Sequence, residues 1–172
     1  MKIMVLSDPH FNHQNIIPYS NRPFASLREM DNAIIKNWNR VVDDEDIVLC
    51  LGDFSFGTKD NIAYYTQKLK GRKILIKGNH ERSRGLYLEA GFNDVMSEFV
   101  LQPGQAGNKD IILFSHKPRM GLRDDVKNIH GHIHDQQLDP LLFNVDNYFN
   151  VSVENINYTP IELQEIIRQM GW

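Results

Sequence analysis

The sequence predicts an α/β fold with a largely parallel core, and three observations carry that prediction. Short apolar runs recur along the chain with room for a helix between most of them. Several runs, Ile47-Val48-Leu49-Cys50-Leu51 above all, are continuously apolar rather than alternating, as expected of strands covered on both faces. The intervening segments place apolar residues at helical spacing behind recognisable caps, so strand and helix alternate.

Taken in order, residues 2–6 form the first strand. Ser26 and Glu29 then make a capping box ahead of Leu27, Met30, Ile34 and Trp38, which share one helical face. A second strand spans residues 46–51. Thr58 caps a second helix carrying Ile62, Tyr65 and Leu69, and Gly71 stops it before a strand at 73–76. A short helix is expected over 84–90. Residues 103–108, with Gly104 and Gly107, read as a hairpin loop before a strand at 110–114. Strands at 126–130 and 149–153 follow, separated by residues 139–147, which show no period. Thr159, Pro160 and Glu162 supply an N-cap, an N1 proline and an N3 carboxylate for a final helix ending before Gly171, with Trp172 expected to cover it.

Composition narrows the function. At 172 residues, 41% hydrophobic and 24% charged, the chain suits one domain around one substantial core. A net charge of -3 gives no basic field, so long nucleic acid is not an expected partner. Cys50 lies inside an apolar run and reads as a small buried thiol. The opening residues turn polar too quickly for a signal peptide, and no apolar stretch reaches membrane-spanning length. A cytoplasmic protein without a membrane partner is the expectation.

Five short blocks point to chemistry: Asp8-Pro9-His10, Gly52-Asp53, Gly78-Asn79-His80, Ser115-His116 and Gly131-His132-Ile133-His134. Each follows an expected strand, at the sheet edge where α/β proteins bind ligands, so the blocks should converge. If extended, residues two apart point the same way, which pairs Asp8 with His10 and His132 with His134. These pairs with Asp53, Asn79 and His116 suffice for two metal ions bridged by one carboxylate. Without thiolates, the donors suit divalent manganese first, with iron, zinc, nickel or magnesium as alternatives. Two such ions about 3.5 to 4 Å apart activate water and clamp a phosphoryl group, so phosphate-ester hydrolysis is the natural reaction.

This ordered set resembles the calcineurin-like metallophosphoesterases, whose signature runs Asp-x-His, Gly-Asp, Gly-Asn-His followed by an acid, His, and Gly-His-x-His. The match spans Asp8 to His134 and includes Glu81. The resemblance implies a two-sheet β-sandwich flanked by helices, with the dimetal site at the strand ends. It further implies that Asp8, His10, Asp53 and His134 hold one ion and that Asp53, Asn79, His116 and His132 hold the other. By the same resemblance a metal-bridging hydroxide attacks phosphorus, Asn79 stabilises the phosphoryl oxygens, and His80 protonates the leaving group without binding metal.

The opening Asp8-x-His10-Phe11-x-His13-x-Asn15, with Arg22-Pro23-Phe24, is similar to small stand-alone phosphoesterases of bacteria, archaea and phages. Protein phosphatases fit less well, because Gly52-Asp53-Phe54-Ser55-Phe56-Gly57 lacks the acid and arginine of their block. The expected substrate is a small, nucleotide-like phosphodiester or phosphomonoester. A nuclease or cyclic-nucleotide phosphodiesterase, and a catalytically silent protein-binding scaffold, stand as alternatives.

Other residues carry two readings. His13 and Arg22 either contact substrate, the favoured reading, or belong to a solvated loop. Lys117, Arg119, Arg82 and Arg84 form either a phosphate-attracting rim or a solvated face. Glu81 orients a neighbour or opens a helix, Phe54 and Phe56 shape the pocket mouth or line the core, and His130 packs or hydrogen-bonds.

Overall fold

Every second residue of β1 (Ile3–Leu6) faces a different core, which explains why the run is apolar throughout. Met4 and Leu6 pack with Trp38, Met30 and Ile34 on the helical side, whereas Val5 packs with Phe114 and Ile129 from a second sheet. β2 (Ile47–Cys50) repeats the pattern, with Val48 and Cys50 on the helical side and Leu49 between the sheets. The computed structural model behind these contacts describes residues 1–102 and 111–171. The expected loop at 103–108, the first residue of the 110–114 strand and Trp172 lie outside that range.

The first sheet has the order β4-β3-β2-β1-β9, adding β3 (Arg72–Ile76), β4 (Asp94–Met96) and β9 (Ile161–Glu162). Its pairings are parallel except for β9, which runs antiparallel to β1. The second sheet has the order β5-β6-β7-β8, built from β5 (Phe99–Leu101), β6 (Ile111–Phe114), β7 (Val126–His130) and β8 (Tyr148–Asn150). Only β5 is antiparallel here. Periodicity read the parallel pairing correctly but carried no sign of the division into two sheets. The sandwich implied by the family resemblance is the arrangement found.

Helices cover the outer face of the first sheet. α1 (Ile16–Tyr19) is a single turn in a segment that showed no helical period. In α2 (Leu27–Val41), Ser26 Oγ accepts from Glu29 N at 3.2 Å, while the Glu29 carboxylate takes Ala25 N instead of closing the box. α3 (Lys59–Lys68) has a complete capping box between Thr58 and Asn61. α4 (Arg84–Glu89) follows β3.

The last helix requires a correction. α5 (Leu163–Gln169) starts after Glu162, not after Thr159, because Ile161 and Glu162 pair with Val5 and Met4 at the edge of the first sheet. Pairing an otherwise open edge outcompetes a local capping signal. Cys50 is buried as expected, and burial pushes its thiol further from ionisation. His130 is buried with Nδ1 hydrogen-bonded to the Gly131 carbonyl.

Candidate metal centre

The carboxyl ends of β1, β2 and β3 in one sheet and of β6 and β7 in the other meet at one end of the sandwich. Asp8, Asp53, Asn79, His116, His132 and His134 all lie in the turns that leave these strands. Those turns are sharp. Among the described residues nine non-glycine residues have positive φ, and five of them are expected ligands: Asp8 (58°), His10 (51°), Asp53 (50°), His132 (73°) and His134 (50°). Each left-handed residue costs on the order of 1 kcal/mol or more, so the surrounding contacts must over-determine these turns. Gly131 is one such constraint: a Cβ there would collide with Ser7 Oγ and Asp8 Oδ2.

The side chains form two groups, Asp8 with His10 and His134, and Asp53 with His116 and His132. The extended-segment argument for His132 and His134 is thereby corrected, since residues 131–135 form a bend and turn that send the two rings to different groups. In the first group Asp8 Oδ2 accepts from His132 N at 2.8 Å and Ser152 Oγ at 3.0 Å. Asp8 Oδ1 and His10 Nε2 are buried without a hydrogen-bond partner and lie 3.9 Å apart. His134 Nδ1 is 3.0 Å from Glu154 Oε1, which leaves Nε2 as its lone-pair nitrogen.

In the second group His116 Nδ1 donates to the Leu51 carbonyl at 2.8 Å, so its Nε2 carries a lone pair. That Nε2 lies 2.9 Å from Asn79 Oδ1 and 3.1 Å from His132 Nδ1. The Nε2 lone pair against the Asn79 amide oxygen is unfavourable unless a cation sits beside both. Together with the orphaned Asp8 Oδ1 and His10 Nε2, this shows that the residues fit a pair of divalent ions held by oxygen and nitrogen.

Asp53 joins the groups. Its Oδ2 is 3.7 Å from His10 Nε2 and 3.6 Å from His116 Nε2, while Oδ1 accepts from His80 N at 3.1 Å. His80 Nε2 stands 3.7 Å from Asp53 Oδ2 on a side chain that is 46% exposed, so it faces both the centre and solvent. Glu81 resolves to a brace: its oxygens accept from Phe54 N at 2.9 Å and Gly78 N at 2.6 Å, locking the two turns together. Burial, then the Asp53 charge, lift the Glu81 carboxyl to about 7.

Electrostatics prepare the histidines for a metal. Burial, with smaller contributions from neighbouring cationic groups, holds His10 well below its ordinary pKa and takes His132 down to about 4. Both are therefore neutral and able to ligate at neutral pH. Burial also raises the Asp8 carboxyl, a cost that an adjacent cation would offset. For His134 burial acts downward, but the Glu154 hydrogen bond and the Asp8 charge outweigh it and raise the imidazole.

Around the centre, His13 stacks on Phe56 at 4.0 Å between centroids, and Phe56 lies 4.9 Å from His80. Phe56 thus shapes the mouth, whereas Phe54 is fully buried core. Arg22 is corrected: its side chain is fully buried, donating to the Asp8 and Pro9 carbonyls and to Glu154, so it offers substrate nothing. Arg84 is tied to Asp94 and the Val95 carbonyl rather than to any rim. Glu154 is the residue that the motif blocks do not reveal. Its only sequence signal is a carboxylate directly after the expected strand at 149–153. A cavity of about 680 Å³ beside β9 and α5 contains none of these residues.

The calcineurin-like phosphoesterase family model matches residues 1–168, and the chain belongs to that family. It is 37% identical over 171 residues to an uncharacterised protein of Methanocaldococcus jannaschii, covering 97% of this chain and 90% of that one. It is also 33% identical to the gene 66 protein of Mycobacterium phage L5, covering 74% and 75% respectively. A crystal structure of a protein of unknown function from Aquifex aeolicus shares the fold, with a TM-score of 0.75, 24% identity and 98% coverage of both chains. No helix among the described residues is long and apolar enough to cross a membrane.

Proposed function

We propose that this protein is a binuclear metal-dependent phosphoesterase acting on a small, nucleotide-like phosphodiester or phosphomonoester. One observation carries the reading: Asp53 Oδ2 lies between His10 and His116, within 3.7 Å of a nitrogen from each ligand group. A single oxygen so placed suits a carboxylate shared by two ions. Asp8, His10, Asp53 and His134 would hold one ion, and Asp53, Asn79, His116 and His132 the other. Bound there, two divalent ions lower the pKa of an attacking water and withdraw charge from the phosphoryl group.

The chain's own groups do the rest. Asn79 turns Oδ1 toward His116 and keeps its amide N–H groups for a phosphoryl oxygen. His80, exposed on one side and 3.7 Å from Asp53 on the other, is placed to give its proton to the departing oxygen. One P–O bond forms to water oxygen and one breaks to the leaving oxygen, which takes the His80 proton. The water proton is lost to solvent. His13 and Phe56 form the wall on the leaving-group side.

The test is reconstitution with manganese, followed by elemental analysis and assay on bis(p-nitrophenyl) phosphate and p-nitrophenyl phosphate. About two ions per chain and metal-dependent turnover are expected. Metal uptake with no turnover on either ester would point instead to a silent scaffold.

A further inference from the structure

A pocket of about 280 Å³ opens against the second ligand group, with Asn79 and His116 on one side and Lys77, Lys117 and Arg119 around it. Its cations come from both sheets: Lys77 follows β3, and Lys117 and Arg119 follow β6. Glu98 neutralises Arg119 through a 2.5 Å ion pair, while neither lysine has a carboxylate partner among the described residues. A net positive pocket remains.

The turn bearing two of these cations is held from beneath. Fully buried Asn128 accepts from Arg119 N at 2.9 Å and donates to Ser115 Oγ, which itself donates to the Lys117 carbonyl at 2.7 Å. Tyr148 donates to the Arg119 carbonyl at 2.5 Å. Lys117 and Arg119 are thus presented by a braced backbone rather than by a free loop.

We propose that this pocket is a subsite for a second phosphate, carried on the half of the substrate that keeps the scissile phosphorus. The proposal rests on the phosphoesterase reading above. The side follows from the geometry: His80, the proton donor to the leaving group, faces His10 at 5.8 Å and Phe56 at 4.9 Å, whereas the pocket borders Asn79 and His116. On this reading the leaving group lies toward His80, His10 and Phe56, and the second phosphate toward Asn79 and His116. Two unneutralised lysines suit a dianionic phosphate monoester in a way that an uncharged sugar or base does not.

The test compares two nitrophenyl esters of one leaving group: thymidine 5′-(p-nitrophenyl phosphate) with and without a 3′-phosphate. At low salt the 3′-phosphate should raise kcat/KM by about tenfold, the combined effect of two exposed ion pairs. In the double variant Lys77→Ala/Lys117→Ala the ratio of the two kcat/KM values should fall close to unity. Arg119→Ala should lower it less, because Glu98 already occupies that guanidinium. Calorimetric binding of thymidine 3′,5′-bisphosphate to metal-free protein should weaken in parallel in the double variant, with an unchanged melting temperature showing that it folds.

A wild-type ratio near unity, or equal ratios and equal bisphosphate binding in wild type and double variant, would overturn the subsite. Absence of metal-stimulated hydrolysis of either ester would instead overturn the phosphoesterase reading, and the metal-free binding comparison would then decide the pocket alone.

Discussion

Arg22 and Glu154, 132 residues apart, meet in a buried ion pair whose nitrogen–oxygen distance is 2.7 Å. The same Glu154 oxygen accepts from His134, and the same guanidinium holds the Asp8 and Pro9 carbonyls. One ion pair thereby sets both the β1 turn and the His134 ring.

Glu154→Gln weakens this orientation while nearly keeping the shape. The substitution should reduce affinity for the ion held by His134 by about 10- to 100-fold and leave the other ion's affinity near normal. Competition against a chromophoric chelator would resolve the two; equal weakening of both would remove the positioning role.

Arg22→Ala leaves Glu154 charged and buried without its partner. A stability loss of about 3 to 5 kcal/mol is expected, read as a shift of the urea midpoint. A variant of native stability with a raised KM would restore the substrate-contact reading.

Asp53→Asn should lower metal content further than His134→Ala, because Asp53 lies between both groups. Elemental analysis after reconstitution checks this. Near-normal content in Asp53→Asn would place the bridge elsewhere.

His80→Asn should slow hydrolysis of alkyl phosphate esters by roughly 10² to 10⁴ and of nitrophenyl esters much less, since a nitrophenolate departs without a proton. Metal content should not change. Equal losses on both ester types would leave His80 without its acid role.

Metal binding should stabilise the protein more as pH rises from about 5 to 7.5, because protons compete for the ligands. The raised pKa values of Asp8 and His134 set the sign: each keeps its proton to higher pH in the metal-free fold, and that proton's stabilisation fades as pH climbs through the folded value. The increment in melting temperature on adding manganese, measured across this range, tests the direction.

Much of this was legible because the signals are short. The five ligand blocks declare their residue types within a few positions, and β1 and β2 declare two-sided burial in consecutive apolar residues. What escaped depends on distance. Nothing local distinguishes β1 from β6, so the partition into two sheets was invisible to periodicity. Thr159, Pro160 and Glu162 do resemble a helix start, yet the open edge of β1 claimed Ile161 and Glu162. The parity rule failed at His132 and His134 because their segment bends and turns instead of running extended. Arg22 read as a substrate contact because its partner, Glu154, lies near the other end of the chain.

The distribution of ligands between the sheets has a consequence for assembly. Asp8, His10, Asp53 and Asn79 precede β5, whereas His116, His132 and His134 follow it, and each group draws from both sides of that divide. No fragment from one side alone owns a complete coordination sphere. On the proposed dimetal reading, ion uptake would therefore report on whether the two halves have docked in register, and a bound pair would rivet them at the very end where the strands give way to turns.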